Sequence, residues 1–132
     1  MPAFERTRAL YDDLARALGA EAFTPDDNGG IELTVGEDIT LVLFAQDDNE
    51  VLAVVPLAPL PPDADFALAN WLLRSNLYDS DLEPFRVATD ADANVLLWGR
   101  VPLEGMNGER MAGLIDAVAA AARELRAELV RE

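Results

Sequence analysis

Cysteine, histidine and lysine are all missing from this chain of 132 residues. Without cysteine there is no disulfide framework and no thiol nucleophile. Without histidine the commonest general base near neutral pH is gone, and the loss of both removes the usual ligands of zinc and related metals. Serine is scarce as well. Ser75 and Ser80 are the only two, and neither sits in a G-x-S-x-G elbow or has a histidine to activate it. The glycines form no phosphate cradle, because Gly29-Gly30 and the isolated Gly36, Gly99, Gly105, Gly108 and Gly113 match neither a dinucleotide nor a Walker pattern. No run approaches the roughly 20 apolar residues of a membrane helix, and Met1-Pro-Ala-Phe-Glu-Arg6 lacks the order of a signal peptide. These gaps point to a cytosolic protein without a membrane partner, and they close most routes to enzymatic chemistry.

What charge there is runs one way. Twenty-five acidic residues stand against 10 basic ones, every basic residue is Arg, and the formal net charge is −15. Such a field repels phosphate backbones, which argues against nucleic acid, and it favours a partner with a basic or neutral apolar surface. It also keeps a sticky protein in solution. Carboxylates as catalytic pairs fare poorly: Asp47 with Asp48, Asp79 with Asp81 and Glu83, and Asp90 with Asp92 all fall in predicted turns, where nothing separates one pKa from its neighbour's. Asp90-Ala-Asp-Ala-Asn94 opens like a calcium loop, but Val95 stands where that loop needs Gly and Val101 where it needs Glu. No catalytic residue, cofactor or metal site is assigned.

The length fits one domain over residues 1–132, and at 51% hydrophobic residues the chain can fill a core. From Ala3 to Leu18 apolar residues recur at helical spacing, with Gly19 placed as a left-handed stop. Three strands follow. Ile31 to Val35 alternates, whereas Ile39 to Ala45 and Val51 to Leu57 are nearly continuous in apolar residues and ask for cover on both faces. Pro56 and the Pro59-Leu-Pro-Pro62 segment are expected to end the third strand. A helix from Asp65 to Asn76, capped by Asp63 or Asp65, precedes strands Phe85 to Thr89 and Val95 to Val101. A last helix begins at an Asn107 cap and runs to about Val130, with Met111, Leu114, Ile115, Val118, Ala122, Leu125 and Leu129 inward. The fold class is therefore α+β, ordered α-β-β-β-α-β-β-α, a largely antiparallel twisted sheet flanked by helices.

The middle helix is the odd element. Phe66, Ala69, Leu73 and Leu77 make one face; Leu68, Trp71, Leu72 and Tyr78 make much of the other; Asn70 and Arg74 mark the only polar strip. A helix apolar nearly all round needs two covers, and a chain this short has little material for the second. A second copy can supply it through symmetric packing, so a homodimer is expected. Trp71 is the first choice for the seam, since aromatics are enriched at interfaces.

The run Leu72-Leu73-Arg74-Ser75-Asn76-Leu77, followed by a strand, an acidic turn and Asn94-Val-Leu-Leu-Trp-Gly-Arg-Val-Pro-Leu103, resembles the class I chaperones of bacterial type III secretion, the family named for Tir and other effector chaperones. The resemblance extends to the order of elements over almost the whole chain. It implies an ATP-independent bacterial cytoplasmic dimer that holds the N-terminal segment of a secreted effector in extended form and keeps it fit for export. It implies further that the middle helix and following strands make the dimer, and that effector side chains enter grooves bounded by the first helix and the sheet, with strand addition at an edge. Mapped by that resemblance, Phe4, Leu10, Tyr11, Leu14, Leu33, Leu43 and Val54 are effector-binding candidates, and Leu68, Trp71, Leu72, Leu77, Phe85 and Trp98 are seam candidates. The same residues also suit a core, and the sequence leaves both assignments open. A group similar to YbjN resembles this architecture without a secretion client, so a non-enzymatic binding or scaffold module is the alternative.

Overall fold

A computed structural model describes residues 5–25, 30–45, 49–77 and 85–130. The elements follow in the expected order: α1 (Glu5–Leu18), β1 (Ile31–Val35), β2 (Ile39–Ala45), β3 (Glu50–Pro59), α2 (Phe66–Arg74), β4 (Phe85–Thr89), β5 (Asn94–Pro102) and α3 (Gly108–Leu129). The five strands form one sheet in the order β1-β2-β3-β5-β4, and every neighbouring pair is antiparallel.

Period-2 alternation sends one set of strand residues to a shared face. Ile31 and Leu33, Leu41 and Leu43, Val51, Ala53 and Val55, Val95 and Leu97, and Phe85 and Val87 are all buried there. Leu10, Tyr11 and Leu14 of α1 and Met111, Ile115, Val118, Ala122 and Leu125 of α3 close over them as one core. Each fully buried Leu or Val contributes about 1.5–3 kcal/mol, so this face carries most of the fold's stability.

The two covering helices meet closely. The N–H of Gly108, at the start of α3, donates to Asp13 Oδ2 of α1. A Cβ at position 108 would run into the Asp13 main chain, so only glycine lets the helices approach this far. Both predicted signals at helix ends are present: Asn107 Oδ1 accepts from Arg110 N at 2.9 Å, and Gly19 (φ 67°) ends α1. There Gly19 N donates to Arg16 O and Ala20 N to Ala15 O, satisfying two otherwise orphaned carbonyls. Of the two acidic candidates for the α2 cap, Asp65 takes the place, accepting from Leu68 N at 2.9 Å.

Pro56 does not end the third strand, which runs on to Pro59 with a register shift between Pro56 and Ala58. Two circumstances make the proline harmless. The β2–β3 ladder stops at Val42–Val54, so the missing N–H faces no partner. Arg126 of α3 then collects the carbonyls freed around the bulge, donating Nη2 to Pro56 O at 3.1 Å and Nε to Leu57 O at 2.8 Å, and reaches the β1–β2 turn by donating Nη1 to Asp38 O at 2.6 Å. Beside it, Arg123 binds the Asp38 carboxylate through Nε at 2.9 Å and Nη2 at 3.1 Å. That guanidinium holds the Asp38 carboxyl below its ordinary value and is itself raised in return.

Candidate functional site

The other face of the sheet is also apolar, and among the described residues no helix covers it. Register places Val42 beside Val54, Val54 beside Trp98 and Trp98 beside Arg86, in one row across four strands. Phe44, Leu52 and Arg100 form the next row, and Pro56, Leu96 and Ala88 flank the first on its other side. Val42, Phe44, Leu52, Val54, Leu96 and Trp98 are all half-buried. Arg100 lies over the Trp98 ring at 5.4 Å and pairs with Glu50 at 3.3 Å.

The middle helix shows the same split. Leu72 points into the core, and Leu68 and Trp71 pack partly against it. The opposite side is left to solvent, with Phe66 83%, Leu73 71% and Leu77 49% exposed. Between α2 and β4 runs an apolar groove of about 380 Å³, lined by Leu60, Ala69, Leu72, Leu73, Val87 and Ala88. At the groove's end Asn76 ties the helix to the strand: its Oδ1 accepts from Val87 N at 2.6 Å and its Nδ2 donates to Val87 O at 3.0 Å.

Several candidates from the sequence take other places. Leu10, Tyr11, Leu14, Leu33 and Leu43 are core residues of the single chain, because they lie on the inner stripes of α1 and the inner face of β1 and β2. Val54 stands apart from them on the bare face. Phe4 lies outside the described residues, as does Tyr78. Among the seam candidates, Leu72 and Phe85 are core. Leu68, Trp71 and Trp98 are half-buried, and Leu77 is exposed. The outward pair Phe66 and Leu73 was visible on the helical wheel yet absent from the seam list. A wheel shows two apolar faces without telling which one turns inward.

Asp47, Asp48, Asp79, Asp81 and Glu83 lie outside the described residues, and the described carboxylates that make bonds are spent on structure. Asp90 Oδ1 accepts from Asp92 N at 2.8 Å and Asn94 N at 3.0 Å, and its Oδ2 accepts from Asn94 Nδ2 at 3.2 Å. These bonds, first those from Asn94, hold its carboxyl below the ordinary value and spend its oxygens on closing the β4–β5 hairpin. Asp13 is likewise spent on Gly108 and Arg16. Among the described residues no three acidic side chains gather as a metal site, and no helix is long and apolar enough to cross a membrane. What the surface offers is apolar contact and an exposed sheet edge.

Comparison with known proteins fits this geometry. No curated protein matches the chain in sequence. The structure is similar to the Yersinia pestis type III secretion chaperone SycH, solved with a stable fragment of YscM2, at TM-score 0.75 and 24% identity over 90% of this chain and 98% of that one. It is similar to a chain of the heterodimeric ExoU–SpcU complex from the type III secretion system of Pseudomonas aeruginosa, at TM-score 0.78 and 21% identity over 93% and 99%. A chain of the ExoT–SpcS complex from Pseudomonas aeruginosa matches at TM-score 0.70 and 22% identity over 92% and 98%. The model of the Tir chaperone protein (CesT) family matches residues 10–126, and the chain belongs to that family.

Proposed function

We propose that this protein is a dimeric, ATP-independent chaperone that binds the N-terminal segment of a type III secretion effector in extended form, in the bacterial cytoplasm and without catalysis. The observation that carries the reading is the apolar surface left over once the chain's own core is complete: the bare sheet face and the outward face of α2. Apolar surface of that extent on a single small chain marks an interaction site. Two partners divide it. A second copy covers Phe66, Leu73 and Leu77 of α2 together with Leu96 and Trp98 of the bare face, in a seam of at least about 1,200 Å². The client takes the far side, adding a strand along β1 and reaching toward Val42, Phe44 and Val54. Strand addition supplies main-chain hydrogen bonds, while alternate side chains find apolar contacts. The −15 net charge favours a client with basic residues between its apolar ones.

The test mixes the purified chain with N-terminal segments of candidate secreted effectors from the same organism and weighs the product by size exclusion with light scattering. A stable complex of two chains with one client segment is the expected result. Unchanged elution with every such segment sinks the proposal.

A further inference from the structure

The two edges of the sheet are not equivalent, and one side chain makes the difference. Asn76 takes both the N–H and the C=O of Val87, so these groups point away from β5. In an antiparallel sheet, hydrogen-bonded and non-bonded pairs alternate, which fixes the direction of every other main-chain group. With Val87 outward, Arg86 bonds Trp98; then Leu97 and Gly99 bond Val55 and Ala53, and Val54 and Leu52 bond Val42 and Phe44. Leu41 and Leu43 therefore bond Leu33 and Ile31, which leaves Glu32 and Thr34 facing outward on β1. Among the described residues nothing engages the outward groups of Glu32 or Thr34.

On β4 the outward residues are Phe85, Val87 and Thr89. An added strand bonds at successive outward residues, two apart. Occupying the middle one removes both available pairs, so a single amide shuts the strand of five residues. The amide of Asn76 does so by imitating a neighbouring peptide, with one donor and one acceptor in register.

We propose that Asn76 is the residue that closes the β4 edge and thereby directs an incoming strand to Glu32 and Thr34 of β1. This rests on the strand-addition reading above and deepens it: Asn76 is a positioning residue for client binding that never touches the client. It also guards against edge-to-edge pairing between copies, the usual hazard of an open edge.

The experiment follows backbone amide signals by NMR while the full-length protein is titrated with a short synthetic strand-forming peptide, Lys-Thr-Val-Thr-Val-Thr-Lys with blocked ends. In the unaltered protein, the Glu32 and Thr34 signals move and that of Val87 does not. Thr34→Pro removes the outward N–H of β1 at an edge position where proline is tolerated, and peptide binding weakens about tenfold or more. Adding Asn76→Ala to Thr34→Pro restores binding, now with Val87 moving. This rescue separates edge closure from a merely structural role, since loss of a structural tie does not restore affinity. A Val87 response in the unaltered protein, or a folded double variant that stays silent at Val87, overturns the assignment of Asn76. Silence at both edges in every variant overturns strand addition itself.

Discussion

The sheet has two faces of similar apolar character and opposite surroundings. Leu41, Leu43, Val51, Ala53 and Val55 lie beneath α1 and α3, whereas Val42, Phe44, Leu52 and Val54, their immediate neighbours in sequence, lie beneath no helix among the described residues. The same strands supply both sets, so the near-continuous apolar runs of β2 and β3 do not mean a doubly covered sheet in one chain. A second cover from outside is what the proposed dimer and client supply. The middle helix repeats the lesson on a smaller scale, with Leu72 inside and Leu73 in solvent.

Truncating one residue on each face is the strongest way to break the comparison. Leu43→Ala empties a site in the closed core and is expected to cost about 2–5 kcal/mol in urea unfolding. Val54→Ala on the bare face is expected to cost about 1 kcal/mol or less in the dissociated chain. Equal losses would show that the second face is not bare.

Next in size comes the helix. Leu73→Arg adds charge to the outward face and leaves the core contacts of Leu72 alone, so the dimer is expected to weaken by about a hundredfold or more with the fold intact. Light scattering against concentration, with circular dichroism as the check on folding, measures this. Trp71→Arg is expected to lower stability too, because that ring packs partly on the core.

A third change probes the covered side alone. Gly108→Ala pushes a methyl group into the Asp13 main chain and is expected to cost about 1–3 kcal/mol. The proposed seam on the outward face of α2 should keep its affinity.

Much of this architecture was legible in the sequence, and the reasons differ by element. The limits of β1, β2 and β4, the Asn107 cap and the Gly19 stop were readable because each depends on neighbours in the chain. Pro56 was misread as a strand end because its tolerance depends on Arg126, which is 70 residues away in sequence. The surplus of apolar surface was readable as well, since it is a matter of counting faces. Its assignment to particular residues was not. Whether Leu33 or Val54 faces the helices is decided by which side of the sheet α1 and α3 close over, and a pattern of period 2 is silent about that choice. Asn76 gave no signal of edge closure, because that role needs Val87 beside it.

The smallest expected effect is electrostatic and sits at the α3 end of the covered face. The Asp38 carboxyl is held below its ordinary value chiefly by the Arg123 hydrogen bond. A depressed folded-state value stabilises the fold above the unfolded carboxyl's pKa, and that contribution is lost as pH falls through the folded value. Asp38→Asn should therefore lower the melting temperature slightly at pH 7, and the gap between variant and parent should close on acidification below about pH 4.

The most direct test of the surplus apolar surface is the mass of the purified chain in solution, measured by light scattering over a range of concentrations. Two chains of 14.3 kDa each moving as one particle is the predicted result. A well-folded particle of one chain at every concentration, with Phe66 and Leu73 still open to solvent, would contradict it.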